Sequence, residues 1–151
     1  MNPEFKMNIY TTNRVLILLW NKDKPHKVLN IPTVFQLNSQ GRLYSMEIFL
    51  YREKGIDFEV IQKQFESGNN FDVDENMLFI RMLHSERPNN IESVSSFGLM
   101  SFYSMIYLSE QGEILGVELS WSEMKLASSG KADREAIISG MKLDGLVVFD
   151  I

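Results

Sequence analysis

Apolar and polar residues alternate in short runs along most of this chain, and one such pattern occurs twice. Leu37-Asn38-Ser39-Gln40-Gly41-Arg42-Leu43-Tyr44-Ser45-Met46-Glu47-Ile48 aligns without a gap on Leu108-Ser109-Glu110-Gln111-Gly112-Glu113-Ile114-Leu115-Gly116-Val117-Glu118-Leu119. Gln, Gly and Glu recur at the same offsets, with apolar residues in register. Alternation on both sides of a Gly turn predicts two half-buried strands. Its recurrence predicts a repeated supersecondary unit. Upstream, residues 13–25 align on residues 76–88. The offset is 63 at the Pro25/Pro88 pair and 71 at the Gly41/Gly112 pair, so the second copy carries eight extra residues, placed near Ser95–Phe102. Each copy reads as strand, polar turn with Pro, strand, Gly turn, strand, which is a three-stranded antiparallel meander.

A helical pattern follows each copy. Phe58, Ile61 and Phe65 fall at helical spacing with Val60 at their border, and Ser67-Gly68-Asn69-Asn70 stops the run. Beyond Ser128-Ser129-Gly130, the residues Ala132, Ala136, Ile137 and Met141 form one face of a second helix. The apolar segment Gly145–Ile151 is expected to pair inside the sheet, because an exposed apolar strand invites aggregation. The predicted class is therefore α+β and β-rich: two similar three-stranded meanders, each followed by a helix, with one shared core and a C-terminal strand. The halves span about 8–66 and 71–127, and the last helix and strand occupy 128–151 of a single domain over 7–151. Residues 1–6 read as an expression scar or a disordered leader, with Met7 the native start. The short junction at Ser67–Asn70 leaves no free linker between the halves, and neither meander alone buries enough apolar surface to be stable.

Composition narrows the function more than the fold. At 151 residues and 44% hydrophobic content, the chain suffices for one sizeable core. With 15 Lys+Arg against 20 Asp+Glu the net charge is −5, which repels a phosphate backbone and argues against nucleic acid as a partner. Lys22, Lys24 and Lys27 gather in one turn, but Asp23 interrupts them, as in a solvated turn. The absence of Cys excludes disulfides, thiolate metal sites and a Cys nucleophile, and it suits a reducing compartment. The longest apolar run, Val15–Trp20, is too short to span a bilayer, and no signal peptide pattern is present. A cytoplasmic protein without membrane contact is the expectation.

Signatures of chemistry are sparse. The two histidines, His26 and His84, each sit in the polar turn of their copy, and two His without a carboxylate partner make a poor metal site. No zinc-protease run, phosphate loop or dinucleotide fingerprint occurs. Asp72-Val73-Asp74-Glu75 lacks the ligand spacing of a calcium loop and reads as the charged start of a strand. Glu47 and Glu118 recur at equivalent mid-strand positions. Tyr44, Met46, Ile48 and Leu50 take the core face of the first copy, and Leu115, Val117, Leu119 and Trp121 that of the second, so both carboxylates point away. They are the best acid–base candidates if a cleft encloses them, and ordinary solvent-facing residues otherwise. No cofactor and no metal are expected.

Asp74-Glu75-Asn76-Met77-Leu78-Phe79-Ile80-Arg81, the stretch Glu92-Ser93-Val94, and Ile106–Leu119 together resemble the small bacterial domain-of-unknown-function family 2283. Its members run D-x-L-Y-I-R-L, then a Glu-rich stretch, then D-x-x-G-x-I-V-G-I-E-I-L. Residues 74–119 carry the likeness, and residues 13–48 carry it faintly. Here Phe79 replaces the usual Tyr, Tyr107-Leu108-Ser109 replaces the acidic run before the Gly turn, and Ser45 replaces the second Gly in the first copy. The family has no settled activity. Its members look like partners of small toxin-type proteins, so the resemblance implies binding more than catalysis.

Three functions follow as expectations. The first is a non-catalytic immunity or antitoxin-type inhibitor that neutralises a basic toxin, since an acidic face steers and occludes such a partner. Its candidate contacts are Glu47, Asp72, Asp74, Glu75, Glu110, Glu113 and Glu118, with Phe97 and Phe102 from the insert as aromatic anchors. Leu99, Met100 and Tyr103 lie in the same stretch, and extra core packing is the more ordinary account of it. The second is a small-ligand binder with an apolar pocket between the halves. The third is an enzyme using Glu47 and Glu118 or a His26/His84 site. A monomer or a homodimer suits each of them.

Overall fold

The computed structural model describes residues 7–37, 43–50, 55–66, 71–74, 77–81, 99–123, 134–143 and 147–150. Nine strands form one sheet: β1 (Asn8–Thr11), β2 (Val15–Leu19), β3 (Lys27–Leu37), β4 (Leu43–Phe49), β5 (Phe71–Asp74), β6 (Met77–Arg81), β7 (Leu99–Leu108), β8 (Ile114–Ser120) and β9 (Val147–Asp150). Helix α1 (Phe58–Phe65) follows β4, and α2 (Arg134–Leu143) precedes β9. The strand order is β5-β6-β4-β3-β7-β8-β2-β1-β9. Neighbours are antiparallel except β1 and β9, which run parallel.

Period-two alternation divides each strand between two faces. The inner face carries Ile9, Leu16, Leu18, Ile31, Phe35, Met46, Ile48, Leu78, Ile80, Ile106, Val117 and Leu119, all buried. Ile61 and Phe65 of α1, with Ile137 and Met141 of α2, complete the same core. Each helix contributes an i, i+4 pair, as an amphipathic helix seated on a sheet requires. Asp57 starts α1 by accepting the N–H groups of Glu59 and Val60 at 3.1 and 3.4 Å. Trp20, at the end of β2, meets Phe65 of α1 and Phe71 of β5 at centroid separations of 5.3 and 6.0 Å. β5 is one edge of the sheet and β2 lies near the other. The sheet therefore curls around α1.

The β-rich α+β expectation holds, and the Gly-turn hairpin β7–β8 forms as read. Gly112, at φ +91°, supplies the left-handed residue of that turn. The Gly41 turn of the other hairpin lies outside the described residues.

The three-stranded meanders do not form. β2 pairs with β1 and β8 rather than β3, and β6 pairs with β5 and β4 rather than β7. Each of these strands joins the hairpin of the other half. The polar turn after β2 accounts for this. The N–H groups of Trp20 and Asn21 donate to Leu115 O of β8, and that of His26 donates to Leu108 O of β7. The turn thus carries the chain across the β7–β8 hairpin to reach β3. Each half also has four strands rather than three, because β1 and β5 add a strand in front of β2 and β6.

Pairing registers correct the alignment by one residue. Leu16 and Leu18 share the inner face with Leu78 and Ile80, an offset of 62. An offset of 63 would place Leu16 against Phe79, which lies on the other face, since a slip of one turns every side chain over. The hairpins keep the offset of 71, down to the irregularity at Gln36/Leu37 and its counterpart at Tyr107/Leu108. The stretch from Ile80 to Phe102 is therefore nine residues longer than that from Leu18 to Ile31. Leu99–Phe102 belong to β7 itself, and the rest of the expected insert, Phe97 included, lies outside the described residues.

The C-terminal strand also departs from expectation. β9 lies at the sheet edge, paired only with β1 among the described strands, and leaves Val147 and Phe149 53% and 41% exposed. It follows α2, which crosses from β8 and returns the chain parallel to β1. Residues 1–6, Ser67–Asn70, Glu75, His84 and Ser128–Gly130 lie outside the described residues.

Candidate functional site

The outer face of the sheet presents Tyr10, Ile17, Val28, Asn30, Val34, Glu47, Phe79, Tyr103, Met105, Tyr107 and Glu118, each half-buried or exposed. Neither α1 nor α2 covers it, since both pack on the other side. Tyr103 is 63% exposed and Val28 50%. In the centre of this face Pro32 of β3 stands opposite Tyr103 of β7.

Glu118 is the best-organised polar group here. In β8 it pairs with Met105 of β7 on one side and Ile17 of β2 on the other. Tyr107, two residues along β7, stands on the diagonal from Glu118, where its phenol and the carboxylate are near enough for a hydrogen bond. Burial, then the Glu118 charge, then that hydrogen bond push the Tyr107 phenol above its ordinary range. Gly116 stands directly opposite Tyr107. A Cβ at Gly116 would lie 2.9 Å from Leu18 O and 3.1 Å from Leu19 Cδ1, so the β2–β8 pairing itself requires glycine there.

Beside Glu118 a half-open groove of about 680 Å³ runs over the outer face, lined by Asn30, Tyr103, Met105, Glu118, Ser120 and Glu123 together with Val15 and Ser122. The Ser120 and Ser122 hydroxyls lie 3.0 Å apart, where the strand passes into the single 3-10 turn Trp121–Glu123. Two carboxylates line the groove, and no basic side chain does so among the described residues. Its polar side chains all carry acceptor oxygens, the serines and Asn30 being donors too, and Asn30 faces Glu118 across Met105.

Glu47 occupies the corresponding position in the other half, 71 residues earlier, yet its surroundings differ. It lies between Phe79 of β6 and Val34 of β3. Gln36, the counterpart of Tyr107, accepts instead from the Ser45 hydroxyl at 3.1 Å. Burial raises the Glu47 carboxyl above its ordinary range. Two strands separate β4 from β8, so Glu47 and Glu118 are at least roughly 14 Å apart at a spacing of about 4.8 Å per strand. They cannot flank one substrate bond as a pair of general acid and base.

The remaining candidates scatter. Asp72 and Asp74 are exposed on the edge strand β5, where Asp72 pairs with Arg81 at 3.3 Å. Glu110 and Glu113 are exposed at the β7–β8 turn. Among the described residues no three His, Cys, Asp or Glu side chains gather as metal ligands. His26 is exposed in its turn.

Phe102 is a correction: it is only 6% exposed and packs edge-on against Phe35 at 5.0 Å, so it is part of the core. Its neighbour Tyr103 is the aromatic that faces solvent. Strand parity distinguishes them once the β7 boundaries are known. The expected apolar pocket between the halves is filled at that seam by Ile31, Phe35, Phe102 and Ile106. The groove on the outer face went unread, because Asn30, Ser120, Ser122 and Glu123 converge only through the pairing of β3, β7, β8 and β2. No helix among the described residues is long and apolar enough to cross a membrane.

Comparison with family models, with curated proteins and with solved structures finds no match in any of the three.

Proposed function

We propose that this chain is a non-catalytic protein-binding module that docks a basic protein through the outer face of its sheet around β3, β7 and β8, as an immunity or antitoxin-type inhibitor docks its toxin. The observation that carries this reading is a sheet face left uncovered by both helices, with exposed Tyr103 and Val28 beside a carboxylate-lined groove. Large aromatic side chains beside polar anchors are the composition of interface hot spots, and an anionic groove on a chain of net charge −5 steers a cationic partner. The resemblance of residues 74–119 to family 2283 points the same way. The two halves, on this reading, derive from one duplicated ββββα unit. The shared register of the β3–β4 and β7–β8 hairpins and the common offset of β1–β2 and β5–β6 support that origin.

Affinity capture by the full chain from its source cells, followed by salt titration, tests the proposal. The expected result is a basic protein retained at low salt and released as screening rises. Retention of an acidic partner, or of one indifferent to salt, overturns it.

A further inference from the structure

We infer that the groove beside Glu118 receives a single arginine side chain of the partner protein, and that the matching position in the first half does not. This rests on the reading of the chain as a docking module for a basic protein. The groove offers acceptors of several kinds on both sides of Met105: the Glu118 and Glu123 carboxylates and the Ser120 and Ser122 hydroxyls on one side, and the Asn30 amide oxygen across β7. A guanidinium carries five N–H donors in a planar fork and matches such a set better than a point-like ammonium. Tyr103 is exposed at the same groove, and its ring is a stacking surface for that plane. Met105 and Val15 cover the aliphatic stem. Tyr107 stands on the diagonal next to Glu118, with its phenol within reach of the carboxylate.

The first half keeps the carboxylate, as Glu47, but among the described residues its surroundings differ. Its counterparts are Val34 for Met105, Pro32 for Tyr103, Gln36 for Tyr107 and Phe49 for Ser120, all at the offset of 71. Gln36 is engaged with Ser45, and Glu47 sits between two apolar side chains. Of these two matching positions, the one at Glu118 is therefore the cation-accepting one.

The test is an NMR titration of the full chain with acetyl-Gly-Arg-Gly-amide, using the citrulline peptide as neutral control. The expected result is saturable shifts at Asn30, Tyr103, Glu118 and Ser120, weaker for citrulline and weakened by salt. Glu118→Gln lowers the affinity about tenfold, since it removes a charge-assisted hydrogen bond. Tyr103→Ala lowers it too, at an exposed site that does not touch the core, and Glu47→Gln leaves it unchanged. Equal response to citrulline, shifts centred on Glu47, or no saturable shift overturns the inference. If a basic partner is captured equally by the wild type and by Glu118→Gln/Glu123→Gln, the groove assignment fails while the docking function stands. If no basic partner is captured, the docking function itself fails.

Discussion

The Thr33 and Ser104 hydroxyls meet at 2.6 Å in the middle of the buried core. They stand on either side of the Pro32–Tyr103 pair, related by the same offset of 71 residues that relates the two hairpins. Both also reach Ile31 O, at 3.2 and 3.5 Å. Two polar groups in an apolar interior thus satisfy each other where the halves join.

Removing one of them is expected to cost more than half of removing both. Thr33→Val or Ser104→Ala alone removes the hydroxyl–hydroxyl bond and leaves the other hydroxyl with Ile31 O as its partner, at about 0.5–1.5 kcal/mol. The double variant is expected to fall well short of the sum of the singles. Urea unfolding of the four proteins in a double-mutant cycle measures the coupling.

Neighbouring aromatics on β7 are expected to separate stability from binding. Phe102→Ala empties a core position beside Phe35 and is expected to cost about 3–5 kcal/mol. Tyr103→Ala, on the solvent side, is expected to change stability by no more than about 0.5 kcal/mol. Thermal melts read the difference, and partner association is expected to fall only for Tyr103→Ala once the Phe102 variant is assayed below its melting point.

Gly116→Ala is expected to destabilise the fold by about 1–3 kcal/mol, because its Cβ would press on the carbonyl of Leu18 and force β2 and β8 apart. The same methyl group exchanged on the open side, Ser120→Ala, is expected to be nearly silent. Calorimetric midpoints of the two variants decide this.

The pH dependence of Glu47 has a definite sign. Burial raises its folded carboxyl above the ordinary carboxylate range, so the folded state holds the proton more tightly than the unfolded chain does. Its contribution to stability is full below the unfolded pKa and is lost as pH rises through the folded value. Glu47→Gln is therefore expected to raise the unfolding midpoint at pH 7 and to leave it unchanged at pH 3. Denaturant curves at both values check this, and a lowered midpoint at pH 7 would contradict the burial argument.

Local pattern carried the sequence reading where pairing is local. The β7–β8 hairpin was legible because Gly112 and the alternation from Ile114 to Leu119 fix turn and face together. Both helices were legible from Ile61/Phe65 and Ile137/Met141. The partners of β2 and β6 were not, since a strand's own residues state which face is buried but not which neighbour it joins. The one-residue slip between Leu16 and Leu78 arose because Asn13/Asn76 and Pro25/Pro88 align turns, whereas the core is built from faces. Phe102 was misread for the same reason. Glu118 was found as a strand residue pointing outward, yet its nearness to Tyr107 depends on a diagonal across two strands that no linear spacing displays.

The exchange of β2 into the other hairpin has a consequence for synthesis. Val15 waits for Ser120, and Leu19 for Gly116, roughly a hundred residues downstream. At about 5–20 residues per second on the ribosome, the segment Val-Leu-Ile-Leu-Leu stays without its mate for at least about 5 s. During that interval only β1 is at hand to pair with it, and its other edge is an adhesive stretch of nascent chain. Severing the chain between α1 and β5 would then yield two fragments insoluble apart, whose solubility returns only when both are made in the same cell.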